Sequence, residues 1–443
     1  MTPGEYYRKI LPSLKQSFER SNYLLAYGRE LINLLGFGPY DLPVTVQPVS
    51  ELEKIALDWN LEVFLPVRGR DAILFPFDFE IALKNENSKL YIGQDSQKHY
   101  IRKYIFPVSN FLEHFLQKRK IPYLLDFTPS GGHILFYVIR DSQAWNALQS
   151  IGRIERDLKS AYEWTDRTGN DIKRQKAISD PEGLVFSAIG RIAEYIGLTF
   201  IELEDELVGK KNQDGLEAHL CDASDRSINI DISWAGDPLY MRIMRAPASL
   251  HKKNMNYYQV TKFGPLADAK AVYFDSKKIF RAYNKIEEVF DAQWNLERAA
   301  DFNMILPGYI PFANEGLAGL VEEYKRSPLF GHHIYFDKED DMPRGEARLR
   351  ALSDSSLDEK TISIVQNPNP RMLQPDALKK MVRDFLEQNW HPRHIGNVIR
   401  DCYIDPKFEW NADWFKCPAE TRANFWARIY SSVFYLENGE PII

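Results

Sequence analysis

Three short segments of the chain combine residue types and spacings that suit chemistry on phosphates. The first, Phe75-Pro76-Phe77-Asp78-Phe79-Glu80-Ile81-Ala82-Leu83, carries two carboxylates two positions apart among apolar neighbours. On a strand Asp78 and Glu80 share one face, because side chains alternate with a period of two. Two like charges in such a setting repel and resist burial unless a cation neutralises them, and hard oxygen donors select Mg²⁺ or Mn²⁺. A solvated face on a half-exposed strand is the competing reading of this segment alone.

In the second segment, Ser130-Gly131-Gly132-His133, small residues let backbone N–H groups approach an anion while a hydroxyl and an imidazole donate from the rim. A hairpin turn with a structural histidine is the alternative. The third begins with Asp231 inside the β-branched run Asn229-Ile230-Asp231-Ile232-Ser233, a third acid that could complete a two-metal site. It continues into Arg245-Ala246-Pro247-Ala248-Ser249-Leu250-His251-Lys252-Lys253, whose cations around a proline-bounded turn suit a triphosphate or a nucleic-acid backbone. A solvated basic loop is the plainer account of that string.

Taken in order, the three segments resemble the signature motifs of the archaeo-eukaryotic primase superfamily: an acidic pair on a strand, a Ser-Gly-x-His type turn, and a strand Asp followed by Arg-x-Pro-x-Ser-Leu-His-x-Lys. The stretch from Arg245 to Lys253 is the most specific piece, and Tyr6-Tyr7-Arg8-Lys9-Ile10-Leu11-Pro12 is similar to the opening of primase small subunits. The resemblance covers residues 1–290. It implies that Asp78, Glu80 and Asp231 are catalytic and bind two Mg²⁺ or Mn²⁺ ions. It further implies that Ser130, His133, Arg245, Ser249, His251 and Lys253 hold the phosphates of an incoming nucleotide. The implied fold is α+β: a primase catalytic core with an RRM-like sheet packed on a second α/β module, followed by a small C-terminal helical module. Glu80 stands where an Asp is usual, and Asn254-Met255 where many relatives carry Thr-Gly. With three cysteines there is no zinc-binding insert, so no structural zinc is expected, and a plasmid-, virus- or defence-associated prokaryotic type is favoured.

The activity expected from this likeness is template-directed nucleotidyl transfer, making or extending primers on single-stranded DNA from NTPs or dNTPs. A helicase or another mobile-element or defence-system protein is a possible partner. Arg102, Lys103, Lys173, Arg174 and Lys176 lie in basic stretches suited to template contact, although a solvated face explains them too. Two other classes compete: a metal-dependent nuclease or phosphodiesterase using the same three acids, and a catalytically degenerate nucleic-acid-binding module. No GxxxxGK[ST], GxSxG or HExxH pattern occurs, which leaves P-loop, serine-hydrolase and zincin chemistry unsupported.

The elements that must position these residues can be read from periodicity. Residues 5–36 place Ile10, Leu11, Leu14, Phe18, Leu24, Leu25, Ile32 and Leu35 mostly at helical spacing, until Gly36, Gly38 and Pro39 break the pattern. Strands are expected over 63–67 and 72–83, a basic amphipathic helix over 98–120, and a hairpin from 123–127 to 134–139 with His133 at its mouth. Helical spacing returns over 144–195, interrupted by the polar segment 166–180, a candidate substrate-facing loop; 227–233 and 239–244 read as strands. Residues 331–341, with His332 and His333, read as a surface loop, and His391 and His394 as structural. The Ser-, Asp-, Asn- and Pro-rich stretch 353–375 reads as a linker before three short helices over 376–389, 394–402 and 420–434, of helix-turn-helix type. The division expected is a catalytic core over 1–290, a connecting region over 291–375 and an accessory module over 376–443.

Composition bounds the rest. At 443 residues, 44% hydrophobic and 27% charged, the chain is a folded protein rather than a disordered or fibrous one. A net charge of −6 requires any nucleic-acid contact to come from a local basic surface. No uninterrupted apolar run suggests a membrane span, so a cytoplasmic protein is expected. Cys221, Cys402 and Cys417 are too few and too scattered for a disulfide framework and read as free core thiols.

Overall fold

The structure is a computed structural model and describes residues 1–27, 44–85, 88–89, 101–128, 130–164, 178–204, 217–221, 226–250, 295–304, 309–369, 374–405 and 418–438. Helix α1 (Pro3–Ser17) starts on a capping box, in which Glu5 N–H donates to the Thr2 hydroxyl and Thr2 N–H donates to the Glu5 carboxylate. The helix expected to run on to residue 36 stops at Ser17, and strand β1 (Tyr23–Tyr27) follows. Leu24, Leu25 and Ala26 satisfy either period. Antiparallel pairing on both sides, with β2 (Val44–Pro48) and β3 (Glu62–Pro66), selects the strand.

The remaining strands are β4 (Ala72–Asn85), β5 (Ser88–Lys89), β6 (Leu124–Phe127), β7 (Gly131–Ile139), β8 (Glu217–Leu220), β9 (Arg226–Asp231), β10 (Ile243–Arg245) and β11 (Phe312–Ala313). They form a four-stranded sheet in the order β10-β3-β1-β2 and a seven-stranded sheet in the order β11-β7-β4-β9-β8, with β5 on β4 and β6 on β7. The second sheet is mixed, because β11 joins β7 and β8 joins β9 in parallel while the other pairs are antiparallel. The architecture is thus α+β, with two sheets and a C-terminal helical region. In β4 the residues Phe75, Phe77 and Phe79 are buried on the face away from the acids, and Phe75 stacks on Phe136 with ring centroids 4.4 Å apart. The run expected as a strand over 239–244 divides instead into a 3-10 turn, Leu239–Met241, and β10.

The helices that matter below are α2 (Phe106–Lys118), α3 (Arg156–Trp164), α4 (Asp180–Glu204), α5 (Glu315–Tyr324), α6 (Pro328–Lys338), α7 (Glu359–Gln366), α8 (Pro375–Glu387), α9 (Pro392–Tyr403) and α10 (Ala419–Asn438). Residues 180–203 of α4 are long and apolar enough to cross a bilayer, but 72% of the most apolar stretch is buried inside the fold, as befits a core helix. Gly197 lets α4 approach the sheet: a Cβ there would lie 2.8 Å from Leu220 and 3.2 Å from Ile230.

Three expectations for the C-terminal half change. The segment 331–341 is mostly helix α6 rather than a surface loop, and His332 and His333 are fully buried. Residues distant in sequence meet them: His333 Nε2 lies 3.1 Å from the Glu194 carboxylate of α4, and His332 Nε2 lies 2.9 Å from the Ser431 hydroxyl of α10. The stretch expected as a linker carries α7, with Val365 in the core; its Asp residues act as caps, Asp358 accepting from Lys360 N–H and Asp354 from Ser356 N–H and the Trp390 indole. Helix α9, where a helix-turn-helix reader would be sought, is buried at every position except His394, so no face remains to enter a groove.

Charged contacts dock α9 and α10 on the rest of the chain. Buried Arg393 of α9 forms a fork with Glu155, at 2.9 and 2.6 Å, and a second with Asp341, at 2.7 and 2.8 Å. Asp157 of α3 accepts from Glu420 N–H and Thr421 N–H at the start of α10, and Arg422 reaches Asp237. Arg393→Ala would leave two partly buried carboxylates unpaired, so a loss of about 3 kcal/mol is expected in urea unfolding. Neutralising both acids in the same background, with Glu155→Gln and Asp341→Asn, should recover much of it; no recovery would show that packing, not charge, sets the cost.

Candidate active site

Strand register gathers the candidate acids. Asp78 of β4 sits opposite Asp231 of β9 on one side and His133 of β7 on the other, and His133 sits opposite Asp126 of β6. Four ionisable side chains therefore form one row across four adjacent strands, on one face of the sheet. In the next row of that face, two residues along β4, Glu80 lies between Asn229 and Gly131. Asp78, Glu80 and Asp231 are half-buried; Asp126, His133 and Asn229 are buried.

The row is tied together through the imidazole. Asp126 has only acceptor oxygens, so His133 Nδ1–H donates to Asp126 Oδ1, at 2.7 Å. The other ring nitrogen, Nε2, lies 3.3 Å from Asp78 Oδ1. His133 thus links a fully buried carboxylate to a half-exposed one, the pattern by which a buried partner fixes the ring that orients a ligand. The glycines make room for it. A Cβ on Gly131 would lie 1.8 Å from the Phe79 carbonyl oxygen and one on Gly132 2.7 Å from that of Asp126, so both glycines are needed for β7 to lie in the sheet.

The acids are short of positive charge. Burial first, then Asp78 and Asp231, push the Glu80 carboxyl up to about 7, against a downward pull from a hydrogen bond with Asn229. Burial and then Asp78 likewise raise Asp231, although its Oδ1 accepts from Ser233 N–H at 2.9 Å. Beside them, Asn229 Oδ1 is buried with no hydrogen-bond partner. Three carboxylates with too little counter-charge and an orphaned amide oxygen make an oxygen-only donor set that fits a hard divalent cation.

A second acidic group exists away from the strands. Glu155, Asp341 and Glu420 bring one carboxylate oxygen each within 4.8 Å of one another and could hold a metal ion; among the described residues no other three acidic, His or Cys ligands are so close. The strand acids stand wider apart, as mutually repelling carboxylates do. Around Glu155 and Asp341 a cation is already present, the Arg393 guanidinium, and burial followed by Asp341 and Asp157 pushes the Glu420 carboxyl up to about 7. That group is thereby close to balanced without an ion.

The other residues singled out in the sequence fall in several places. Ser130 is half-buried at the entry to β7, its carbonyl accepting from Ile81 N–H at 2.8 Å. Arg245 lies on the other sheet, ion-paired with buried Glu62 and 5.3 Å above the Phe64 ring. Ser249 is fully buried and its hydroxyl accepts from Val63 N–H at 2.9 Å, which makes it a brace for β3 rather than a hand on a phosphate. Lys103 is half-buried and lies 5.4 Å from the Tyr104 ring; Arg102 lies in the turn Ile101–Ile105. His251, Lys253, Lys173, Arg174 and Lys176 lie outside the described residues. Sequence reasoning passed over Asp126 and assigned no role to Asn229. The signal for Asp126 was present in Leu124-Leu125-Asp126-Phe127, a lone acid in an apolar strand like that of Asp231.

No protein-family model matches the chain, and no curated protein or solved structure does so either.

An acid whose pKa is raised by folding stabilises the fold below its unfolded value and loses that contribution as pH rises through its folded value. Glu80→Gln should therefore match wild type in thermal midpoint below pH 4.5 and exceed it above about pH 7, without divalent cation. Adding Mn²⁺ above that pH should narrow the gap by stabilising wild type. A gap independent of pH would show that Glu80 carries no buried charge.

Proposed function

We propose that this chain is a nucleotidyltransferase that makes or extends primers on single-stranded DNA from NTPs or dNTPs. The observation that carries this reading is the row Asp231, Asp78, His133, Asp126 with Glu80 and Asn229 beside it. Asp78, Glu80 and Asp231 would hold two Mg²⁺ or Mn²⁺ ions, with the Asn229 amide oxygen as a further donor. When bound, such ions activate an attacking hydroxyl and neutralise a leaving pyrophosphate.

The chain's own part is to position. Asp126 orients His133 through a 2.7 Å hydrogen bond, and the ring so oriented lies 3.3 Å from Asp78, the central carboxylate. Gly131 and Gly132 let β7 lie close against its neighbours beside the acids, which keeps His133 in the row. Phosphate contact by His251 and Lys253 and template contact by Arg102, Lys103, Lys173, Arg174 and Lys176 belong to this proposal, as do a cytoplasmic setting and a helicase or defence-system partner.

A hydrolase using the same acids with water as nucleophile is the second reading. It is favoured by one observation: Arg245 and Ser249, two of the six proposed triphosphate ligands, are engaged with Glu62 and with the core. Incorporation of labelled NTPs and dNTPs on single-stranded template, primed and unprimed, separates the two. Template-dependent product should fall at least about 100-fold in Asp78→Asn and roughly 10–100-fold in Asp126→Asn, whose effect acts through His133. Template degradation that depends on Asp78, without synthesis, would transfer the assignment to the hydrolase.

A further inference from the structure

Phe312 is the one aromatic residue among the exposed large hydrophobic side chains of the described residues, 46% accessible where aromatics of this fold are otherwise mostly packed away. It sits on β11, which joins β7 beside Tyr137, four residues along that strand from His133. At a rise of about 3.3 Å per residue this puts Phe312 roughly 13 Å along the sheet from the acidic row. It lines a cavity of about 560 Å³ that Lys118, Arg119 and Lys120, at the end of α2, line as well.

The charges of that wall are not all spent. Arg119 is committed, with Nε and Nη2 donating to Glu323 at 2.9 and 2.6 Å and its guanidinium 3.6 Å from the Phe115 ring centroid. Lys118 and Lys120 are exposed and pair with no carboxylate among the described residues; of the two lining acids Glu323 is taken by Arg119, which leaves two lysines against Glu315. Arg20, bound to Asp71, lies 5.8 Å from the Phe312 ring. Lys120 also has φ of 54°, in the left-handed region where glycine would be relaxed and a lysine is strained.

We propose that this cavity binds single-stranded nucleic acid, one unpaired base stacking on Phe312 while its flanking phosphates meet Lys118 and Lys120. An exposed aromatic beside free cations is the chemistry by which single strands are held without reading sequence. The cavity is large enough for a nucleotide, and its lining residues Pro122 and Phe312 place it where the start of β6 and β11 flank β7. The site rests on the nucleic-acid reading of the acidic row, but its test does not require catalysis.

The probe is a fluorescein-labelled oligo-dT, followed by anisotropy against the full chain. Phe312→Ala should weaken binding about 5- to 150-fold and Phe312→Trp should retain it, while Phe312→Leu, which keeps an apolar surface without the ring face, should bind like Ala. Lys120→Gly relaxes the backbone, so it should be no less stable than wild type in urea yet bind more weakly. With Lys118→Gln added, the slope of log affinity against log salt should shrink by about 1.4. Asp78→Ala should bind as wild type does, and a wild type that shows Phe312-dependent binding but makes no product would defeat the catalytic reading and leave this one standing. Binding unchanged in Phe312→Ala and in the lysine variants, absent in wild type, or stronger for blunt duplex than for oligo-dT, would overturn it.

Discussion

Mutual repulsion among carboxylates that the backbone holds together is the constraint on which the rest of the site depends. The pairing of β4 with β9 leaves Asp78 and Asp231 directly opposite, a juxtaposition that costs stability in a sheet unless something offsets it. The fold offsets part of it through His133, braced by buried Asp126, and through Ser233 N–H on Asp231. It leaves the remainder, visible in the raised Glu80 and Asp231 carboxyls. Stability given up in this way is the usual signature of a site arranged for a ligand that neutralises it.

Elsewhere the chain shows what balanced buried charge looks like. Glu194 of α4 is fully buried, yet His333 and Arg428 hold its carboxyl well below the usual range against the upward push of burial. The Ser432 hydroxyl donates to it at 2.8 Å, and Tyr324 meets His333 Nδ1 at 2.5 Å. This network joins α4, α5, α6 and α10, and with the forks of Arg393 it makes the C-terminal helices structural supports of the sheet-bearing part. Gly236 reflects the same intimacy, since a Cβ there would lie 2.9 Å from the Phe425 ring. The contrast is informative: charges in this network have partners on several elements, whereas the strand acids chiefly face one another.

Local pattern was a good guide wherever one period dominated. Phe75, Phe77 and Phe79 alternating with Asp78 and Glu80 could only be a strand with two unlike faces, and Leu378, Met381, Val382 and Phe385 could only be a helix stripe. It failed where burial was decided by distant residues. His332 and His333 look like loop ligands until Glu194 and Ser431 are placed beside them, and Leu24 with Leu25 fits a helix until β2 and β3 arrive. Asp and Ser of 354–358 read as linker chemistry because caps and linkers use the same residues. In the site, Asp78, Glu80 and Asp231 could be named from type and spacing. Asp126 shows the same local signal, a lone acid in an apolar strand, but its role depends on a cross-strand register that no local window contains.

The proposed function requires that the strand acids, not the compact group Glu155, Asp341 and Glu420, receive the divalent cation. Mn²⁺ binding measured by electron paramagnetic resonance on wild type, Asp231→Asn and Glu420→Gln tests it without any catalytic readout. Tight Mn²⁺ binding is expected, lost in Asp231→Asn and unchanged in Glu420→Gln. Binding that survives Asp231→Asn and disappears in Glu420→Gln would contradict it and move the metal centre to the junction of α3 and α10.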